Sequence, residues 1–386
     1  MIGSDSRVVA GLIVLSFVGV LRHLAADPQS TQESFEWDLP AGFPIPEVPE
    51  DNPMTAEKVE LGRHLFFDTR LSVDGSYACA SCHQPANAFS DGLGRAVGVT
   101  GEIHPRGAMS LANVAYNTTL TWADSNVDSL EDQMLTPMFS EDPVELGLHG
   151  LREEVLWGLE SVPLYRELFG QAFPRDEAPF TFENLVRAIA SFERTLISGN
   201  SAYDRYVYWG ESEDFSQEAR AGMRLFFSHR LKCSECHSGF TFSGPTRYVD
   251  GPPPEIAFHN TGLYNKKGTG AYPEDNQGLF EHTGNPEDMG HFRAPTLRNI
   301  AMTAPYTHDG TVRTLGELIA HYSNGGRSLH NGVETEIGRD NPYKSEEVTG
   351  FDMNATEMHQ LLAFLDSLTD QRFLNDPRFQ APRQSH

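Results

Sequence analysis

Basic residues are scarce in this chain. Its 386 residues include 29 Lys and Arg against 54 Asp and Glu, which gives a formal net charge of −25 at pH 7. A nucleic-acid-binding protein needs a basic surface to neutralise phosphates, and no such stripe is present. The composition therefore argues against a nucleic-acid partner, whereas it permits a basic protein partner.

Long hydrophobic runs are equally rare. Only residues 8–21, "VVAGLIVLSFVGVL", form an uncharged apolar stretch, and Arg7 precedes it. This run is too short to span a bilayer comfortably, and the small residues of 24–27 follow it. It predicts a cleaved signal peptide at 1–26 and an exported, periplasmic protein without stable membrane insertion, with an uncleaved anchor as the alternative. Residues 27–54, rich in Pro, Glu and Asp, predict an extended N-terminal arm.

Cysteine is limited to four residues, and all four lie in two C-x-x-C-H motifs. In this motif the two thiols bind the vinyl groups of one haem, and the histidine binds its iron. The alternatives are two disulfides or a zinc site, but a zinc ribbon places its second pair only about 15–20 residues after the first. The sequence therefore predicts two covalently bound haem c groups. The predicted ligands are Cys79, Cys82 and His83 for one haem and Cys233, Cys236 and His237 for the other.

Each motif follows a similar amphipathic segment, at 55–67 and at 216–227. Further helical periodicity at 180–199 and 355–369 suggests a closing helix for each half, and alternation typical of strands is almost absent. We therefore predict an all-α fold of two cytochrome c-like haem domains related by duplication, with long loops.

The boundaries follow from the same pattern. The N-terminal domain is predicted at 55–205 and the C-terminal domain at 206–372. A tail is predicted at 373–386.

Two longer segments extend these motifs, "LEDQMLTPMFSEDPVELG" at 130–147 and "FRAPTLRNIAMTAPYTHDGTVRTLGELIAHY" at 292–322. With them, residues 55–370 resemble the bacterial di-haem cytochrome c peroxidase superfamily. The resemblance implies a peroxide-reactive, high-spin haem on His83 and a six-coordinate haem on His237. The superfamily contains both peroxide-scavenging peroxidases and MauG-like enzymes that oxidise a partner protein.

Position 322 bears on that choice. Fourteen residues after His308 the peroxidases carry a Met ligand for the second haem, whereas this chain has Tyr322, as in MauG and the MbnH group. A thioether favours ferrous iron, whereas an anionic phenolate stabilises higher oxidation states. Tyr322 is thus the expected ligand, with His321 and Met302 as rivals and a packed aromatic as the plain alternative.

The resemblance also implies roles at the first haem. Glu145 matches the family's distal acid, which would shuttle a proton as the O–O bond of peroxide breaks. Gln133 matches a neighbouring distal residue, although its spacing from Glu145 is two residues longer than the family's. Trp122 occupies the place of the inter-haem tryptophan. A solvated Glu145 and an ordinary buried Trp122 are the structural alternatives.

A calcium ion is a further implied cofactor. The family binds it with backbone carbonyls that correspond to Thr303 and Pro305, and hard oxygen donors suit calcium. The family's third ligand, an Asn, falls on Gly107 here, and Asn113 is the nearest side chain of that type.

Together these features predict an exported di-haem enzyme that reacts with hydrogen peroxide and shares two oxidising equivalents over both haems. It would then oxidise a residue, such as a Trp, of a partner protein. The residues around Trp122 and Glu145 resemble those of the MbnH group, which converts tryptophan to kynurenine on its partner. One alternative is a peroxidase that draws electrons from a small cytochrome or copper protein. The other is a di-haem electron carrier without enzymatic activity.

Overall fold

The computed structural model describes residues 35–330 and 335–383, with the side chains of 329, 330 and 335 excepted. The predicted signal peptide and residues 27–34 of the predicted arm lie outside the described residues, as do residues 384–386 of the predicted tail. In the described part of the chain no helix is both long enough and apolar enough to cross a membrane.

Helices dominate the described residues, in agreement with the predicted all-α class. The α-helices are α1 (Ala56–Phe66), α2 (Cys79–Cys82), α3 (Leu130–Gln133), α4 (Leu135–Phe139), α5 (Arg152–Glu160), α6 (Pro163–Ala172), α7 (Phe182–Arg194), α8 (Ala202–Trp209), α9 (Gln217–Phe226), α10 (Cys233–Cys236), α11 (Phe280–Thr283), α12 (Leu315–Ser323), α13 (Ala355–Asp366) and α14 (Gln371–Asn375). Short 3₁₀ helices occupy Thr69–Leu71, Pro85–Asn87, Val114–Tyr116, Pro286–Asp288, Ile300–Met302, Gly338–Asp340 and Pro377–Phe379.

Two small antiparallel sheets complete the secondary structure. Strand β1 (Phe258–His259) pairs with β2 (Phe292–Arg293), with Phe258 opposite Arg293. Strand β3 (Ser328–His330) pairs with β4 (Thr335–Ile337). The segment 238–314 holds only β1, α11, β2 and two 3₁₀ turns, so most of it is irregular backbone.

The helices begin where the sequence offers a capping side chain. The Thr55 hydroxyl accepts a hydrogen bond from the Lys58 amide at the start of α1. The Ser216 hydroxyl accepts one from the Ala219 amide at the start of α9. Such caps satisfy amides that have no partner within the helix. They explain why both helices that lead to the C-x-x-C-H motifs begin where the sequence predicts.

The same helix-to-helix contact occurs in each half. Helix α1 packs on α7 through Gly62, whose added Cβ would lie only 1.9 Å from the Ala188 carbonyl oxygen. Helix α9 packs on α13 through Gly222, whose added Cβ would lie 1.9 Å from the Gln360 carbonyl oxygen. Glycine is required at both positions because any side chain would collide with the partner backbone.

Buried hydrophobic residues form two clusters, one for each helix pair. One is built around α1 and α7, and the other around α9 and α13. The predicted tail contributes to the first cluster, since Phe373, Leu374 and Phe379 are buried in it. The chain therefore returns from the C-terminal half to cover the N-terminal core.

Residues 35–54, which belong to the predicted arm, contain no helix and are firmly held. The Tyr116 hydroxyl donates to the Pro44 carbonyl oxygen at 2.7 Å. The buried Asn52 donates to Glu131 at 2.7 Å and accepts from Lys58 at 3.0 Å. The arm is thus tied to the core by hydrogen bonds of buried polar groups.

Candidate active site

Both C-x-x-C-H motifs fold as single helical turns, α2 and α10. Positions i and i+3 lie on one face of a helix, so each pair of thiols points in the same direction. All four thiols are free of disulfides. In the described part of the chain no three His, Cys, Asp or Glu side chains converge as a metal site, so the two cysteine pairs do not form one four-thiol cluster.

The histidine of each motif is oriented by a backbone carbonyl. His83 donates from Nδ1 to the Phe89 carbonyl oxygen at 2.9 Å, and His237 donates from Nδ1 to the Phe242 carbonyl oxygen at 3.0 Å. This bond leaves Nε2 as the nitrogen that can bind iron, an arrangement found at most metal-binding histidines. Both histidines therefore fit the proximal position of a haem.

The two loops whose carbonyl oxygens accept from these histidines are held in the same way. The Ser110 hydroxyl donates to the Ala88 carbonyl oxygen at 2.5 Å. The Thr296 hydroxyl donates to the Thr241 carbonyl oxygen at 2.6 Å. Each bond lies one residue before the carbonyl that orients the histidine, so the same scaffold supports both centres.

A large, mostly apolar cavity adjoins the second motif, and we refer to it as the C-terminal cavity. Cys233, Cys236, His237 and Tyr322 line it together, and the rival ligands His321 and Met302 do not. Helix α12 sets this difference, because neighbouring residues of a helix point about 100° apart. The cavity thus presents a thiol pair, an imidazole and a phenol to one bound group.

Burial raises the pKa of the Tyr322 phenol well above its usual range, and the neighbouring Cys236 and Cys233 act in the same direction. An isolated phenol at this depth keeps its proton. A ferric ion would supply the positive charge that makes the phenolate stable there. The position therefore suits a metal-bound phenolate better than a free one.

Arg293 is a second sign that an anionic group belongs in this region. It is buried and lines the C-terminal cavity, yet it forms no ion pair with any described residue. Burial lowers the pKa of its guanidinium to about 10. An unpaired buried cation is costly, and the propionates of a haem would offset its charge. The cavity therefore fits haem in charge as well as in its thiols and axial groups.

Trp122 connects this cavity with a smaller one of ≈ 80 Å³, which we call the central cavity. Its indole lines both cavities and donates from Nε1 to the Gly107 carbonyl oxygen at 2.9 Å. The ring also meets the His308 imidazole edge to face, with centroids 6.5 Å apart. Trp122 thus borders both cavities, and its inter-haem position stays a prediction.

Glu145 lies beside the first motif, on the segment that follows α4. Its backbone carbonyl accepts from the Val99 amide at 2.8 Å, which fixes the loop. Burial alone raises the pKa of its carboxyl to about 7. Burial and then the nearby Glu145 raise the pKa of the Cys82 thiol to about 12, which places the carboxyl close to the haem attachment point. Glu145 is half-buried, and its role as the distal acid stays a prediction.

Gln133 ends α3 and is half-buried. No hydrogen bond of its side chain to Glu145, or to any other described residue, is present. The two predicted distal residues are thus not joined directly, and Gln133 remains a candidate by its position alone.

Comparison with known proteins agrees with this geometry. The family model described as di-haem cytochrome c peroxidase matches residues 56–213. The methylamine utilization protein MauG of Methylorubrum extorquens is 34% identical over 335 residues, which cover 86% of this chain and 84% of that protein. The chain belongs to the di-haem cytochrome c peroxidase family.

A second curated relative and one solved structure are also similar to this chain. The cytochrome c551 peroxidase of Pseudomonas aeruginosa is 30% identical over 324 residues, 83% of this chain and 86% of that protein. The crystal structure of a MauG-like protein associated with microbial copper homeostasis is 43% identical, with a TM-score of 0.88 over 90% of this chain and 99% of that one. This family member is therefore a di-haem oxidoreductase whose cofactors are haem c.

Most of the residues considered as calcium ligands lie at the central cavity of this family member. Gly107, Thr303 and Pro305 all line it, whereas Asn113 does not. The Asn113 amide is engaged elsewhere, since it donates to the Ser198 carbonyl oxygen at 3.0 Å and accepts from the Ser198 amide at 2.9 Å. Asn113 thus has a structural role, because it holds two loops together.

Sequence reasoning missed two buried carboxyls. Asp91 lines the central cavity, and its Oδ2 has no hydrogen-bond partner among the described residues. Glu193 on α7 is buried with its Oε2 likewise without a partner, and burial raises its pKa to about 8. The signal was available for Glu193, because it interrupts the apolar face of a strongly amphipathic helix.

Proposed function

We propose that this di-haem enzyme uses hydrogen peroxide to oxidise a tryptophan or tyrosine residue of a partner protein. The observation that carries the proposal is the position of Tyr322 on the wall of the C-terminal cavity, together with His237 and the cysteine pair. A phenolate in place of a thioether favours holding an oxidising equivalent over storing an electron.

The haem groups would supply the redox chemistry with peroxide when bound, through Cys79, Cys82 and His83 at one centre and Cys233, Cys236 and His237 at the other. The protein's own part is the control of protons. Peroxide must lose a proton from one oxygen and gain one at the other as the O–O bond breaks. Glu145, with a pKa near neutrality, accepts and returns that proton. Gln133 is proposed as a polar neighbour that orients peroxide.

Trp122 is proposed to link the two centres. It lines the C-terminal cavity and the central cavity, and its indole is readily oxidised. Its hydrogen bond to Gly107 fixes the ring in that place. The two equivalents taken from one peroxide can then be shared, and Tyr322 stabilises the share held in the C-terminal half.

The comparisons support this version of the chemistry. A MauG protein is among the most similar curated relatives, and a MauG-like protein associated with microbial copper homeostasis is 43% identical in structure comparison. We extend the oxidation of a partner protein to this chain on that basis and on Tyr322.

A second candidate function is peroxide removal with electrons from a small cytochrome or copper protein. Relatives named cytochrome c551 peroxidase, at 30% identity, favour it. It predicts fast turnover with such a donor and no lasting change in a partner protein. Tyr322 in place of Met argues against it.

We further propose that the two halves arose by duplication and act in the periplasm. The paired His83 and His237 bonds, the Ser110 and Thr296 bonds, and the Gly62 and Gly222 contacts support the duplication. The apolar N-terminal segment supports export, since haem c is attached after translocation.

Calcium is proposed for the central cavity. The carbonyl oxygens of Thr303 and Pro305 are two candidate donors there, and we propose the unpartnered Asp91 carboxylate, not Asn113, as the side-chain donor. A buried carboxylate needs a cation or a proton, and oxygen donors suit calcium. Equilibrium dialysis with ⁴⁵Ca should show one bound ion per chain, and Asp91→Asn should lose it.

The proposed function is tested by adding peroxide to the purified di-haem protein and recording optical and Mössbauer spectra. Both haems should be oxidised together, and the oxidised state should persist without a donor. Oxidation of one haem only, with rapid turnover on a small cytochrome, would instead support the second function. No reaction with peroxide or cyanide would indicate the electron carrier.

A further inference from the structure

Helix α8 carries three oxidisable side chains from the interior to the surface. Tyr203, Tyr206 and Trp209 follow one another at intervals of three residues. Residues at i and i+3 on a helix lie on one face, with Cβ atoms about 5–6 Å apart. Tyr203 and Tyr206 are half-buried, and Trp209 is 49% exposed. The helix thus presents a graded series of aromatic groups that ends in solvent.

The inner end of this series reaches the wall of the C-terminal cavity. Phe226 lines that cavity and contacts Phe242 and Phe364 at centroid distances of 5.8 and 5.1 Å. Tyr203 contacts the same two rings at 5.2 and 5.8 Å. The rings of Phe242 and Phe364 therefore contact both Tyr203 and the ring that lines the cavity.

The middle of the series is also well defined. Tyr206 packs against Phe215 at 4.6 Å, and the Arg220 guanidinium lies 4.9 Å above the Tyr206 ring. A nearby cation disfavours a cationic aromatic radical, so it favours loss of the phenolic proton when an electron leaves. Tyr206 can therefore be oxidised as a neutral radical.

The outer end is surrounded by acidic residues. Val207 and Tyr208 are exposed beside Trp209, and the acidic loop, which we define as residues 211–214, follows directly. Arg205 pairs with Glu211 and Asp214, whereas Glu213 forms no ion pair with any described residue. The patch therefore combines exposed apolar rings with a net negative charge.

We propose that α8 is the route by which electrons enter from a partner protein, and that the partner docks a basic face on Trp209 and the acidic loop. This inference rests on the proposed function and names the partner surface for it. One electron passes from an aromatic residue of the partner to Trp209, then to Tyr206, to Tyr203 and on to the haem that the C-terminal cavity would hold. Each tyrosine releases its phenolic proton when it is oxidised and regains it when it is reduced. Two such transfers supply the two electrons that, with two protons, convert one hydrogen peroxide to two waters.

The route is tested by peptide mass spectrometry of the di-haem protein after peroxide is added without a partner. Trapped oxidising equivalents should leave oxygen additions on Trp209 and Tyr206. The matched control is Trp157, which is 75% exposed on α5 and belongs to no such series. In the Tyr206→Phe variant, modification of Trp209 should fall while the spectral reaction with peroxide is unchanged. Equal modification of Trp157 and Trp209 would overturn the route.

The docking surface is tested by calorimetry with a strongly basic single-haem cytochrome c as the probe. Replacing three acids, Glu211→Gln, Glu213→Gln and Asp214→Asn, should weaken binding about tenfold at low salt. The control removes three exposed acids from α5, as Glu153→Gln, Glu154→Gln and Glu160→Gln, and should bind as the parent does. Equal weakening in both variants would indicate attraction by net charge alone and would contradict a specific surface.

The two failures can be told apart. If the parent protein shows no peroxide reaction at either haem, the proposed function fails. If both haems react but neither Trp209 nor Tyr206 is modified, only the α8 route fails.

Discussion

The indole Nε1 of Trp122 donates a 2.9 Å hydrogen bond to the carbonyl oxygen of Gly107. Glycine has no side chain, so Gly107 contributes only backbone at this position. That carbonyl fixes the aromatic ring that lines both the C-terminal and the central cavity. The ring placement is therefore tied to the same backbone segment that borders the candidate cation site.

Replacing Trp122 by Phe should uncouple the two haems. The variant loses the N–H group that binds Gly107 and also the readily oxidised indole. We expect about 1 kcal/mol of stability to be lost with the hydrogen bond, because net contributions of this size are usual. In rapid-mixing spectra with peroxide, only the first haem should respond. A Trp157→Phe variant serves as the control, and an unchanged response of both haems in Trp122→Phe would contradict the relay.

Glu145→Gln should remove the pH dependence of the peroxide reaction. Burial raises the carboxyl pKa to about 7, so below that pH the group keeps its proton and cannot accept one from peroxide. The rate in the parent protein should thus rise with pH through about 7 and then level off. The amide variant should be slower by roughly 10²–10⁴-fold, the usual contribution of a positioned acid–base group, and flat with pH. Stopped-flow absorbance measures both, and a pH profile that survives the substitution would exclude Glu145.

Tyr322→Phe should change the second haem specifically. The variant removes the phenol oxygen but preserves the packing, so ligand-field bands and the reduction potential of that haem should shift, with the potential moving upward. Spectroelectrochemical titration and electron paramagnetic resonance provide the measurement. His321→Gln, which alters a neighbour that does not line the cavity, is the control. A shift in His321→Gln and none in Tyr322→Phe would reverse the assignment.

Gly62→Ala should destabilise the fold, because the new methyl group would lie 1.9 Å from the Ala188 carbonyl oxygen. Overpacking of this kind typically costs about 1–3 kcal/mol. Gly158→Ala on α5 meets open space, so it should instead stabilise by about 0.5–1 kcal/mol through helix propensity. Thermal unfolding of the two variants, followed by circular dichroism at 222 nm, compares them directly. Equal changes in melting temperature would show that the close contact of α1 with α7 is absent.

Much of the fold could be predicted from the sequence, because helices depend on capping residues and on the spacing of nearby apolar residues. The helices at 56–66, 182–194, 217–226 and 355–366 begin at capping side chains and follow an apolar period that local sequence encodes. The predicted tail shows the limit of this reasoning. Phe373 and Phe379 are buried against the N-terminal core. No local sequence pattern predicts this contact, because the residues involved lie about 300 positions apart in the chain.

For the candidate site, the sequence by itself predicted the haem-binding residues, since C-x-x-C-H places two thiols and an imidazole within one helical turn. It also marked Tyr322, Glu145 and Trp122 through a resemblance. Only the tertiary structure decided that Tyr322 and not His321 lines the cavity with His237, and that Asn113 binds Ser198. It also decided that Arg293 is buried without an ion pair to any described residue, and that one carboxylate oxygen each of Asp91 and Glu193 is buried without a hydrogen-bond partner there. The physical reason is that burial and the direction of a side chain depend on which distant segments pack around it. Those contacts also set the pKa values and the unpaired charges on which the proposed chemistry depends.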